Sequence, residues 1–405
     1  MATVRELLKR ATLTKEQVDR FHDSDAHNWA KYDPELGYTL SNAVIRDGVD
    51  GSSTIGRYSP TGERQLINFA ERACRINTYG DSFTQCHQVS DGETWQEALA
   101  AHFGEPIRNF GIGGYGVYQA YRRMLRHEAT DQSAQYVILN IWGDDHHRSL
   151  MAWRWVNMIN WAGFRNPAMF HGNPWSHVRL DPATLDLVEH ANPYPTPESM
   201  YKLCDEEHVY ESFKDDIIIQ IVVAQHPEGE LDVTQLEAMA AALSMQLDFR
   251  TAETRPQAAT ALYNEMAWHA SETIVGWCED YCEARDKELM VLLSYPSGDV
   301  ASACKADGDG AQGYAGCHGQ RFRDYLATTE LPLVDSMDAH VEEFRTFNLD
   351  EWAYVNRYYI GHYSPMGNRF FADAVKDDIL SWLDPKPVTY RDDSRLLRFE
   401  DYLPE

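Results

Sequence analysis

The sequence predicts an α/β protein, with a central parallel sheet and helices on its two faces in three layers. Three observations carry this. Short β-prone runs alternate with segments of helical periodicity. The run Val137–Trp142 is apolar enough for a strand buried on both faces, as in the middle of a parallel sheet. Ser82, Asp144 and Asp335 fall at the carboxyl ends of predicted strands, where open α/β sheets bind ligands. With 405 residues, 43% hydrophobic and 12% aromatic, the chain can bury a sizeable core.

The elements follow in order. Residues 1–73 read as an N-terminal extension. It opens on an amphipathic pattern, and Thr14-Lys-Glu-Gln17 before Val18 is a capping box for a short helix. Residues 33–64 are rich in Gly, Asp, Ser and Pro and predict loops with short strands. Residues 74–83 are the first core strand. Thr94-Trp-Gln-Glu97 is a second capping box, with Trp95, Leu99 and Phe103 at helical spacing behind it. Ile107–Phe110 is the second strand, Tyr118–His127 a helix and Val137–Trp142 the third strand.

The alternation then breaks. Residues 151–255 are dense in Trp, Met, Tyr, Phe, Asn and Pro and read as an insertion, either a lid over the sheet edge or a further packing layer. Within it, Asp216–Ala224 fits a strand or a buried helix. A long helix at about 257–285 resumes the pattern. Glu288–Tyr295 is the fourth strand, Gln320–Thr328 a helix, Leu331–Val334 the fifth strand and Pro365–Leu383 the closing helix. The core is thus 74–150 with 256–385, and 386–405 is a tail.

Composition narrows the function classes. The formal charge is −27, and an acidic surface repels nucleic acid and anionic membranes, so neither is an expected partner. No run reaches the ~18–20 apolar residues of a membrane span. The N-terminal segment lacks the apolar region of a secretory signal, so a cytoplasmic location is expected. The seven cysteines are scattered, which argues against a disulfide framework. Cys278 and Cys282 share a helix face and are expected to pack rather than bind zinc. No cofactor and no metal is expected, and the oligomeric state is left open.

The chemistry centres on Gly80-Asp81-Ser82, which follows directly on a β-prone run. Gly80 allows a sharp turn, and Asp81 can bond its own main chain there. The turn delivers the Ser82 hydroxyl to the sheet edge, where a base would make it a nucleophile. His362, in His362-Tyr-Ser-Pro-Met-Gly367-Asn368, stands just before a helix start and is the candidate base. The run Gly111-Ile-Gly113-Gly114-Tyr-Gly116 is off-register for a phosphate loop; Gly114 instead allows close backbone approach to a reacting group. Asp144-Asp145-His146-His147 is a poor metal set, because adjacent residues seldom converge on one ion. Asp307-Gly-Asp309-Gly lacks the later ligands of a calcium loop and reads as an acidic loop.

Taken together, Arg75 to Phe83, Asn109 to Gln119, Val137 to Asp145 and Gly361 to Ala372 resemble the SGNH (GDSL-type) hydrolases. The resemblance covers roughly residues 70–150 and 285–385. It implies a three-layer α/β/α, flavodoxin-like fold and an ester-cleaving activity. It places Ser82 as nucleophile, His362 as base and the backbone N–H groups of Ser82 and Gly114 at an oxyanion. Two positions depart from the family. Asp144 stands where the family has an oxyanion-binding Asn, and Tyr359 stands where it has the acid partner of the histidine.

For Asp144 three readings are open: a protonated donor, a substrate-orienting carboxylate, or lowered activity. For the acid partner, Asp335, Asp338, Asp350, Glu351 or a backbone carbonyl are open, with Asp81, Tyr359 and Asp335 as supporting residues. The expected substrate is a small-molecule or carbohydrate ester with a short acyl group, such as O-acetyl. The alternatives are an O-acyltransferase of the same fold and a non-catalytic ligand-binding member.

Overall fold

The computed structural model describes residues 3–159, 167–306 and 316–391. Five parallel strands form the central sheet: β1 (Ile76–Tyr79), β2 (Arg108–Asn109), β3 (Tyr136–Trp142), β4 (Glu288–Ser294) and β5 (Leu333–Asp335). Their spatial order is 2-1-3-4-5. The longest strands, β3 and β4, pair in the middle from Tyr136 opposite Glu288 to Trp142 opposite Ser294. Both are almost wholly buried, as their unbroken apolar runs require.

Helices line both faces. The Trp95–Phe103, Ser336–Phe344 and Pro365–Trp382 helices group on one side, and the Val117–Glu128, Arg255–Glu283 and Gly319–Thr328 helices on the other. This arrangement is compatible with three layers. Cys278 and Cys282 lie buried on the inner side of the Arg255–Glu283 helix. Strand order reverses between β1 and β3, because the chain runs outward to β2 and then returns. A crevice opens at such a switch point, beyond the carboxyl ends of the two strands.

Local signals explain most helix starts. Thr14 accepts from the Gln17 N–H and Gln17 answers, completing the first capping box. Ser364 caps the helix that Pro365 opens. The Thr94 box closes only halfway. Thr94 accepts from the Glu97 N–H, but the Glu97 carboxylate instead takes the N–H groups of Ile67 and Asn68. Holding that loop satisfies two backbone donors, whereas the cap would satisfy one.

Residues 151–255 hold a hairpin, His177–Leu180 with Leu187–His190, and the helices Glu206–Phe213, Ile217–Ala224 and Thr234–Ala242. The Asp216–Ala224 run is therefore a helix, capped by Asp216 and apolar at every helical position but Gln220, with all those apolar residues buried. The segment is not a free-standing lid. Leu7, Leu8, Val18, Tyr38, Trp153, Trp175, Val209 and Phe213 share a second hydrophobic core with Ile112 and Tyr115 of the glycine-rich loop. Trp155 Nε1 donates to the Ala11 carbonyl at 2.9 Å, and Arg5 pairs with Glu207. Extension and insertion thus fold against each other. Trp29, Trp153, Trp155 and Trp175 are buried rather than laid out to stack on a ligand.

Among the described residues, no helix is long and apolar enough to cross a membrane. The Asp307–Asp309 loop and most of the 386–405 tail lie outside the described residues.

Candidate active site

Gly80 ends β1 with φ +153°, and a Cβ there would collide with the Asn140 carbonyl and the Thr84 hydroxyl. Only glycine makes this turn against β3. The four-residue helix Ser82–Gln85 starts at once, and Asp81 caps it by accepting from the Phe83 N–H at 2.8 Å. Ser82 is the first helical residue, so its N–H has no carbonyl one turn back. Its side chain sits at the switch-point crevice and is 8% exposed.

The Ser82 hydroxyl donates to Asp81 Oδ2 at 3.1 Å. Arg148, buried, reaches the same Asp81 oxygen at 3.4 Å and Asp145 Oδ1 at 2.8 Å. Burial pushes the Asp81 carboxyl up in pKa, with Arg148 acting against it. Burial and the neighbouring Asp81 push Asp145 well above its ordinary value. Asp145 also accepts the Trp142 N–H at 2.9 Å and so anchors the turn after β3. Neither His146 nor His147 faces this cluster with a free ring. His146 bonds Ser271 and His318, and His147 bonds Asn264.

His362 lies on the same side of the sheet. Its ring is 5.1 Å from the Phe83 ring and 5.0 Å from the His87 ring, centroid to centroid. Its orienting partner is Gln88. Gln88 Oε1 accepts from the His362 backbone N–H at 2.8 Å and from Nδ1 at 2.9 Å. An amide oxygen only accepts, so Nδ1 carries the ring proton and Nε2 keeps its lone pair. Burial, His87 and Arg148 hold the imidazole well below its ordinary pKa, so the ring is neutral at physiological pH. Among the described residues, no hydrogen bond joins His362 to Ser82.

The acids named from sequence are placed elsewhere. The Tyr359 hydroxyl turns into the core, donating to the Tyr295 carbonyl at 3.1 Å. Asp335 caps the Ser336–Phe344 helix and pairs with Arg323 at 2.7 Å. Asp350 caps the Glu351–Tyr358 helix, and Glu351 faces Lys305. None of these, nor Asp338, bonds His362. Gln88 escaped the sequence reading because its role depends on a left-handed turn. Cys86 and Gln88 have φ of +61° and +72°, and this swings the Gln88 amide toward a loop 274 residues away.

Gly114 has φ +88°, and its N–H makes no hydrogen bond to the described residues. The neighbouring Gly113 N–H is already held by Gln85 Oε1 at 2.7 Å. Asp144 is at the crevice rim, its side chain 70% exposed and 3.5 Å from Arg148. The packed walls push its pKa up, but Arg148, His147 and Arg154 together outweigh them and hold it below the ordinary carboxylate value. It is ionised, which corrects the reading of a protonated donor.

A cleft of about 720 Å³ opens to one side, lined by Trp29, Ala43, Ile45 and Gly56 of the extension. Ser82 does not line it; Trp29, whose ring meets His87 at 5.8 Å, lies between the two regions.

The Gln88 contact predicts a pH effect. Gln88→Glu would set a carboxylate against the imidazole and raise its pKa, because an opposite charge favours the protonated ring. A general base works unprotonated. The acidic limb of the pH–rate profile should therefore move to higher pH, by about 1–3 pH units. An unmoved limb would mean that His362 does not limit the rate.

No protein-family model matches the chain, and no curated protein matches it.

Proposed function

We propose that this chain is a serine esterase of the SGNH type, cleaving a short-acyl ester through Ser82 and His362. The observation that carries the reading is the position of Ser82. It starts a helix at the β1–β3 switch point, with the unbonded N–H of Gly114 and the neutral His362 on the same crevice. The strand order 2-1-3-4-5 is the flavodoxin-like one, which supports the three-layer fold implied by the resemblance.

The steps follow from these atoms. Ser82 Oγ attacks the acyl carbon while its proton passes to His362 Nε2. The carbonyl electron pair moves to oxygen, facing the N–H groups of Ser82 and Gly114. The pair returns, the ester C–O bond breaks, and the alkoxide leaves with the proton from His362. Water then attacks the acyl-enzyme, giving its proton to His362, and the acid departs as Ser82 is reprotonated. Ser82 is barely exposed, which favours a small acyl group. Trp153, Trp155 and Trp175 are buried, so these three rings offer no exposed platform for a sugar.

A second reading, a ligand-binding member without turnover, is favoured by the Ser82 hydroxyl donating to Asp81 rather than to His362. A fluorophosphonate probe separates the two. The esterase reading expects native protein to be labelled and Ser82→Ala not to be. Unlabelled native protein favours the binder.

A further inference from the structure

One polar group beside the crevice has no partner. Nη1 of Arg154 is shut off from water and, among the described residues, meets no acceptor. Buried donors are seldom left this way in a native fold, and a guanidinium least of all, so Nη1 is poised to donate to an acceptor that a ligand brings.

The surroundings fix where that ligand would sit. Arg154 precedes the short Trp155–Met158 helix and reaches back over the glycine-rich loop. Its Nη1 occupies the space that a Gly114 side chain would fill, so the absence of a Cβ at 114 is what admits it. The Tyr38 hydroxyl lies beside it and donates to the Gly113 carbonyl at 2.6 Å, but it is not placed to accept a hydrogen bond from Nη1. The other crevice arginine, Arg148, is shared among Asp81, Asp145 and the Tyr115 carbonyl. Arg154 is therefore a cation held against the backbone of Gly114, whose own N–H is unbonded. Burial and Arg148 pull its pKa down to about 10, so it still carries its proton at neutral pH.

We propose that Arg154 is a catalytic residue that donates from Nη1 to the oxyanion, completing a donor set with the N–H groups of Ser82 and Gly114. The proposal rests on Ser82 being the acyl-accepting nucleophile. It accounts for the position where this chain departs from the SGNH pattern. The ionised Asp144 cannot donate, and a guanidinium arriving from the insertion supplies the missing donor. As the tetrahedral adduct forms, the negative charge appears on the former carbonyl oxygen. A fixed cationic donor binds that oxygen more strongly than it binds the neutral ester, and this difference is catalytic. The insertion would then belong to the chemistry as well as to the packing.

The test compares wild type, Arg154→Met and Arg154→Lys on p-nitrophenyl acetate, with thermal melts and fluorophosphonate labelling on the same samples. Arg154→Met should lower kcat by about 10²–10³-fold with KM changed less than about threefold. Its Tm should hold or rise, because a desolvated charge without an acceptor is removed. Arg154→Lys keeps a cationic donor and should retain more kcat than Arg154→Met.

An unchanged kcat in Arg154→Met, with wild type labelled at Ser82, overturns the Arg154 role alone. So does a loss carried entirely by KM, or a Tm that falls together with kcat in both variants. A wild type neither labelled nor active overturns the esterase reading, and this role with it.

Discussion

Ser82→Ala is expected to abolish ester hydrolysis, lowering kcat by about 10⁴-fold or more while the fold melts normally. Among the described residues the hydroxyl's hydrogen bond is to Asp81, so its loss removes that one bond and only a single buried oxygen. His362→Ala should be as damaging, and the double variant no worse than either single one, because nucleophile and base act as a unit. The Ser82 hydroxyl must first turn from Asp81 toward His362. Such bonds often tighten only once substrate is bound, so the resting geometry does not weigh against the pair. Substantial turnover by Ser82→Ala would remove the nucleophile. Turnover lost in Ser82→Ala but kept in His362→Ala would assign the base elsewhere, with His87, held by Asp47 at 3.1 Å, next in place.

A second large effect is expected on stability, between pH 6.5 and about 4. Burial holds His127, His171 and His340 at pKa values of about 3 and His318 at about 4. Unfolded, each would titrate near 6.5. Between these limits the unfolded chain binds protons that the folded chain refuses, so stability falls as pH falls. Each ring contributes at most about 1.4 kcal/mol per pH unit, and four together about 5 kcal/mol per unit. His146, His177 and His362 are shifted the same way. Asp81, Asp145 and Glu97, raised by burial, act in the opposite sense. The buried histidines outnumber them. With a usual total of about 5–15 kcal/mol, the protein should unfold cooperatively before pH 4. Melts at pH 7, 6, 5 and 4 test this; a Tm constant down to pH 4.5 would mean that the rings take protons without opening the fold.

The sheet was legible in sequence because its signal is local. Apolar runs such as Val137–Trp142 and Glu288–Ser294 can be buried in few other ways, and a glycine turn before Ser82 has few alternatives. Ser82, Gly114 and His362 could be named as candidates for the same reason, since each sits within a contiguous motif. Partners set by long-range packing were not legible. Gln88 became the His362 acceptor through a left-handed turn. Arg154 came from the insertion to fill the space beside Gly114. The aromatic density of residues 151–255 left a lid and a further packing layer open, and the structure shows many of those side chains closing a core with the extension. Of the three readings open for Asp144, the protonated donor depended on not knowing its neighbours Arg148 and Arg154.

The central claim is that Ser82 forms a covalent acyl-enzyme. The most direct measurement is rapid mixing of native protein with excess p-nitrophenyl acetate, followed by acid quench and peptide mass spectrometry. The account predicts a burst of p-nitrophenolate equal to one per chain, and a single acetyl group on the peptide that carries Ser82. Product release with no burst and no acyl group on Ser82, or an acyl group on any other residue, would contradict it.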